Sequence, residues 1–170
     1  SVAENSSAVT TVVASDADLP AQTLTYSIIG GADQARFNIN PGTGLLSFAS
    51  APDYESPSDA NLDNVYDVTV QVSDGSLTSM QAISVTVTPL DEQQPLISSD
   101  GGGASASISV TENSSAVTTV VASDADLPAQ TLTYSIIGGA DQARFNINPG
   151  TGLLSFASAP DYESPSDANL

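Results

Sequence analysis

Four acidic groups supply most of the coordinating chemistry of this chain: Glu4-Asn5, Asp16-Ala17-Asp18, Asp53-Tyr54-Glu55 and Asp74. Carboxylates spaced two apart and scattered over loops suit a hard, oxygen-seeking cation, because calcium takes roughly six to eight oxygen donors in flexible geometry. Zinc and copper sites draw on histidine and cysteine, and the chain has neither. The groups are not self-contained calcium loops. Asp16 to Ser27 lacks the mid-loop glycine and closing glutamate of an EF-hand, and no glycine-rich nonapeptide repeat occurs. Any ion must therefore be held by carboxylates that tertiary structure brings together.

The same inventory argues against catalysis. Without His, Cys or Lys there is no near-neutral acid or base and no activated nucleophile, which leaves only a carboxylate pair of the glycosidase kind. For Asp53 and Glu55, metal ligation explains the spacing better, and the chain is expected not to be an enzyme. Twenty acidic residues against two arginines give a net charge of −18. That balance excludes nucleic acid, whose phosphates need Lys and Arg, and adsorption to an anionic membrane. A divalent cation would relieve the mutual repulsion of so many carboxylates. The absence of cysteine removes disulfides as a staple, and no apolar run is long enough to enter a membrane. Asn5-Ser6-Ser7 and Asn113-Ser114-Ser115 match a glycosylation sequon but are expected to be structural loop residues.

The acids need a scaffold that repeats. Residues 1–62 recur as 109–170 at an offset of 108, with Ala3 against Thr111 as the single change. The copies of the acidic groups are Glu112, Asp124-Ala125-Asp126 and Asp161-Tyr162-Glu163. A period of this length fits one independently folding β-sandwich, so the chain is expected to be tandem beads. Residues 1–90 form a first repeat with its N-terminal strand partly missing. Residues 91–107 form an acidic, then Gly/Ser-rich, pliable linker, and 108–170 a second repeat that stops before its last strands.

Alternation sets the strands. Leu24, Tyr26 and Ile28 share a face, as do Phe37 with Ile39 and Leu46 with Phe48. Tyr66, Val68, Val70 and Val72 lead through a turn at Asp74-Gly75 into Ile83, Val85 and Val87. A strand over Val9–Ala14, an opening strand near Ile108 of the second copy and a helical turn near Gly31–Ala35 complete the expectation. The fold class is all-β, tandem seven-stranded Greek-key β-sandwiches of immunoglobulin-like architecture. Tyr26 and Tyr66 fall in the core alternation, and Asp59, Asp63, Asp67 and Asp100 are expected to be solvated or to cap loops.

The order Glu-Asn, Asp-Ala-Asp, Asp-Tyr-Glu and an acidic linker ending in proline resembles the cadherin repeat. The run Tyr26-Ser27-Ile28-Ile29-Gly30-Gly31, Phe37 and Thr43-Gly44 are similar to the bacterial cadherin-like repeats of large surface adhesins. The resemblance implies calcium at the junction of successive domains. Carried over, it sets Glu4, Asp53, Glu55, Asp91 and Glu92 facing Asp124 and Asp126, with Asp74 beside Asp16 and Asp18 at the other end of its domain. Glu112, Asp161 and Glu163 follow as copies. Pro89 to Pro95 lacks one aspartate and both asparagines of the family linker, and the spacing to Glu112 is longer than in the animal proteins. Two readings stand: fewer ions at each junction, or ions held within one domain.

The function expected is a calcium-braced structural repeat of an extracellular bacterial adhesin or filament, at the cell surface or in biofilm. Its partners would be neighbouring identical repeats or subunits, head to tail, with missing strands supplied by strand complementation or by the same polypeptide. The alternative is a polysaccharide-binding module acting through avidity, for which exposed Tyr54 or Tyr66 would be the sign.

Overall fold

Alternating apolar stretches become strands only where each finds a partner, and in the first part of this chain seven do. The computed structural model describes residues 1–168 and contains two compact units, Ser1–Asp91 and a second from Glu92 onward. The first unit holds β1 (Val2–Ala3), β2 (Ala8–Thr11), β3 (Thr25–Gly30), β4 (Phe37–Ile39), β5 (Leu45–Phe48), β6 (Val65–Ser73) and β7 (Thr78–Thr88). One sheet runs β1-β7-β6-β3 and the other β2-β5-β4. β1 lies parallel to β7, with Val2 opposite Val87, and the remaining pairs are antiparallel. The chain changes sheets four times, between β1 and β2, β2 and β3, β3 and β4, and β5 and β6, as the crossovers of a Greek-key sandwich require.

Both sheets turn their inward positions into a single core. Tyr66, Val68, Val70, Val85 and Val87 from the β6–β7 hairpin meet Phe37, Leu46 and Phe48 from the facing sheet, and all eight are buried. Phe37 and Phe48 stack with ring centroids 4.8 Å apart, and Tyr66 stands edge-on to them at 6.4 and 5.1 Å. Such offset and edge contacts add to the gain from burying the rings. The Tyr66 hydroxyl accepts the Ser58 N–H at 3.1 Å, so its polar end is not stranded.

The expected Val9–Ala14 strand ends at Thr11. Beyond it, the Val12 N–H donates to the Gly44 carbonyl at 2.8 Å, a loop bond in place of a ladder bond. Gly44 has φ +70°, and a Cβ there would meet the Val12 carbonyl oxygen at 2.2 Å, which explains glycine at that position. The helical turn is a 3₁₀ turn at Gln34–Arg36.

The second unit contains β8 (Leu96–Ile97), β9 (Ala116–Thr119), β10 (Ala122–Ser123), β11 (Phe145–Ile147) and β12 (Leu153–Phe156). The sheet β11-β12-β9 reproduces β4-β5-β2, with Phe145 opposite Phe156 as Phe37 is opposite Phe48. β8 pairs antiparallel with β10, so Leu96–Ile97 is part of a sheet although the composition of its segment suggests a free linker. No strand forms near Ile108, nor over 131–139, whose counterpart contains β3. Among the described residues the second unit has no hairpin equivalent to β6–β7, and residues 131–139 lack the ladder partner that β3 has in the first unit.

Candidate metal centre

Glu4 follows directly on β1, and the register of β1 on β7 draws its side chain inside. Its N–H donates to the Thr88 carbonyl at 3.0 Å. Glu4 is only 1% exposed, and its carboxylate accepts the Leu90 N–H at 2.6 Å and the Tyr54 N–H at 2.8 Å. One side chain thus ties the start of the repeat, the Asp53-Tyr54-Glu55 loop and the strand end together. Asp53 Oδ1 accepts the Glu55 and Ser56 N–H groups, each at 3.1 Å, an Asx turn that fixes the loop. Carboxylate oxygens of Glu4 and Glu55 lie within 4.8 Å of one another. Asp91 is exposed at the end of this unit.

Asp16, Asp18 and Asp74 gather at the opposite pole, lining one open cavity of about 240 Å³. β7 separates the poles: its 11 residues span about 30–35 Å at the usual strand rise. The Asp16 carboxylate accepts the Asp18 N–H at 2.8 Å. Asp74 starts the turn between β6 and β7, and its Oδ1 accepts the Leu77 and Ser76 N–H groups, both at 2.6 Å. Those donors, Leu77 first, stabilise the charged form and hold the Asp74 carboxyl below its ordinary value of 3.8.

In the second unit, oxygens of Glu112, Asp161 and Glu163 lie mutually within 4.8 Å, and all three residues are exposed. Glu112 accepts the Tyr162 N–H at 3.1 Å, and Asp161 accepts that of Glu163 at 3.0 Å, which repeats the first copy's local geometry. Asp126 is 1% exposed, whereas its copy Asp18 is exposed. The backbone N–H groups of Glu92 and Gln93 converge on the Asp126 carboxylate, each reaching Oδ2 at 3.1 Å, and Asp124 Oδ1 accepts the Asp126 N–H at 3.0 Å.

Two further buried acids are not singled out by the sequence as structural centres. Asp33 is 4% exposed, and its carboxylate accepts the Ala60 N–H at 2.7 Å and the Asp67 N–H at 2.8 Å. Asp59, expected to be a cap or solvated, is buried and accepts the Asp63 and Asn64 N–H groups at 2.8 and 3.2 Å. Both hold loop backbone, as an aspartate can with no partner cation. Nothing in local spacing distinguishes them from Asp16 or Asp53, because their donors are 27 and 34 residues away for Asp33 and close by for Asp59.

The donor set at each pole is oxygen only, and the chain's two cations are Arg36 and Arg144. Arg144 Nε stands 3.8 Å from Asp141 Oδ1, and both residues line the cavity that Glu112 and Asp161 also line. Such a set fits calcium by chemistry: hard carboxylate donors from loops, pre-oriented by backbone N–H groups, with lone pairs to spare.

A Greek-key sandwich with acidic poles, its sequence repeated along one polypeptide, places this chain in the class of tandem β-sandwich repeat proteins. The chain belongs to the cadherin domain family, whose model matches residues 1–88 and 106–170. It is similar to human Protocadherin Fat 1, 32% identical over 164 residues, covering 94% of this chain and 3% of that protein. Protocadherin Fat 2 of the rat is 31% identical over 152 residues, 85% of this chain and 3% of the relative. The chain thus spans a small fraction of the length of these relatives. Among solved structures, human Protocadherin-24 EC1-2 (Form II) superposes with a TM-score of 0.73 at 26% identity, covering 97% of this chain and 76% of that one. The Protocadherin gammaB7 EC3-6 cis-dimer structure gives 0.70 at 26% identity, covering 96% and 42%. No described helix is long and apolar enough to cross a membrane.

Proposed function

We propose that this chain is a calcium-binding structural repeat of an extracellular adhesin or surface filament, of the bacterial cadherin-like kind, in which ions at the acidic poles stiffen a row of repeats into a rod. The observation that carries the reading is the grouping of Glu112, Asp161 and Glu163 within 4.8 Å of one another, three exposed carboxylates with mutual repulsion to relieve. Glu4 with Asp53 and Glu55, together with Asp91 and Glu92, would be the corresponding donors of the first copy. Asp16, Asp18 and Asp74, and likewise Asp124 and Asp126, would offer donors toward the neighbour on the other side. Head-to-tail contacts between identical repeats or subunits would then build the assembly at the cell surface or in biofilm. The bacterial assignment is supported by the Tyr26–Gly31 and Thr43-Gly44 motifs, while the relatives named above are animal proteins. For the polysaccharide reading, Tyr66 is buried and Tyr54 packs against the core in the first unit, while Tyr162, the copy of Tyr54, is 83% exposed in the second.

Calorimetric calcium titration of the 170-residue chain, with small-angle scattering before and after chelation, tests the proposal. Stoichiometric heat with an extended, stiffer particle supports it. Binding without a change in dimensions assigns the ions to sites inside one repeat, and absence of binding refutes the calcium role.

A further inference from the structure

The segment that composition marks as pliable is tied down along its first half. From Glu92 onward the chain packs with the second unit. The Glu92 and Gln93 N–H groups donate to Asp126 Oδ2, each at 3.1 Å. Leu96 and Ile97 lie opposite Ser123 and Ala122. The Ser98 N–H donates to the Val121 carbonyl at 2.9 Å, and the Thr118 hydroxyl stands 3.2 Å from each Asp100 carboxylate oxygen. As the linker positions rise from 92 to 100, their partners fall from 126 to 118, the order of one antiparallel edge. Beyond it Gly101 and Gly102 turn the chain at φ +92° and +66°, and no strand occurs over 102–110.

The far end of this edge hangs on Asp126. Its side chain is 1% exposed, and a buried carboxylate must be offset by donors. Here the donors are successive backbone N–H groups, which form a concavity for an anion. Asp124 Oδ1 in turn accepts the Asp126 N–H at 3.0 Å and fixes the backbone beneath it. Among the described residues, Asp126 belongs to no group of three acids whose oxygens lie within 4.8 Å of one another. We infer that Asp126 is an ion-independent clasp, a positioning residue that docks Glu92–Asp100 onto the second unit before any calcium binds. The Gly/Ser-rich stretch after Gly101, and not the acidic run, then carries the freedom of the linker. The inference goes beyond the calcium reading, which takes Asp126 only as an ion donor, and the two are separable because the clasp needs no ion.

Hydrogen exchange of the whole 170-residue chain in excess chelator is the test, with a peptide of residues 89–104 as the undocked reference. The Glu92, Gln93 and Ser98 amides should exchange at least about tenfold more slowly in the chain than in the peptide. Asp126→Ala should bring Glu92 and Gln93 to within about threefold of the peptide, while the amides of the β9–β12 pair keep their protection. Asp126→Asn keeps an oxygen for the two N–H groups and should exchange there about threefold or more slowly than the Ala variant. Peptide-like exchange of the wild type, an Ala variant as protected as the wild type, or an Asn variant no slower than the Ala variant overturns the inference. Where the Ala variant fails to fold, the wild-type measurement decides. Protection that appears only on adding calcium removes the clasp and keeps the calcium reading, whereas protection in a chain that binds no calcium does the reverse.

Discussion

The carboxylate of Glu4 accepts the backbone N–H of Leu90 at 2.6 Å across 86 residues of chain. It joins the first strand of the repeat to the exit of its last one, and it does so from a buried position with Tyr54 as the second donor. A glutamate expected only to hold an ion is thus also a structural clasp, which fixes the pole at which the ion is proposed to bind.

Replacing Glu4 by Gln turns one accepting oxygen into a donor facing a buried N–H. We expect a loss of about 2 kcal/mol from the first unit. Glu112→Gln, at an exposed position that accepts the Tyr162 N–H, should cost less than about 0.5 kcal/mol. Two units need not unfold together, so urea titrations followed by NMR signals of each unit are the measurement.

Leu46 is 0% exposed, while its copy Leu154 is half-buried. Leu46→Ala should cost about 2–5 kcal/mol of first-unit stability. Leu154→Ala should cost less than half of that by the same titration. Equal losses would mean that the second unit's face is covered in solution.

Asp74 gives a pH prediction. Its carboxyl is held below 3.8 by the Leu77 and Ser76 N–H groups. With a folded value below the unfolded one, the stabilisation from these bonds is fully present above the unfolded value and is lost as pH falls through the folded one. Stability of the β6–β7 turn should therefore be flat from neutral pH to about pH 5 and decline below about pH 4. Asp74→Asn should remove that part of the decline, as read by hydrogen exchange at Ser76 and Leu77 across an acid series.

Gly31 and Gly139 predict a further asymmetry. A Cβ at Gly31 would stand 2.3 Å from the Asp67 carbonyl oxygen at φ +104°, whereas at Gly139 no atom lies within 4 Å. Gly31→Ala should lower the melting temperature of the first unit by several degrees, about 1–3 kcal/mol. Gly139→Ala carries only the backbone penalty of its positive φ and should do less.

The repeat separates what this sequence determines alone from what tertiary structure decides. Alternation by itself placed β3 to β7, including the hairpin about Asp74-Gly75 and the core positions Phe37, Leu46, Phe48, Tyr66, Val68, Val70, Val85 and Val87, because a period of two must face a core; β1 it did not place. Composition by itself set the acidic, oxygen-only chemistry. Local pattern could not show that Glu4 is buried, since its two donors come from residues 54 and 90. Nor could it show that Asp33 and Asp59 serve the backbone. Thr25–Gly30 is a strand and Thr133–Gly138, with the same six residues, is not. Only the first has β6 alongside to satisfy its N–H and C=O groups, and a strand exists by virtue of that neighbour rather than by its own sequence.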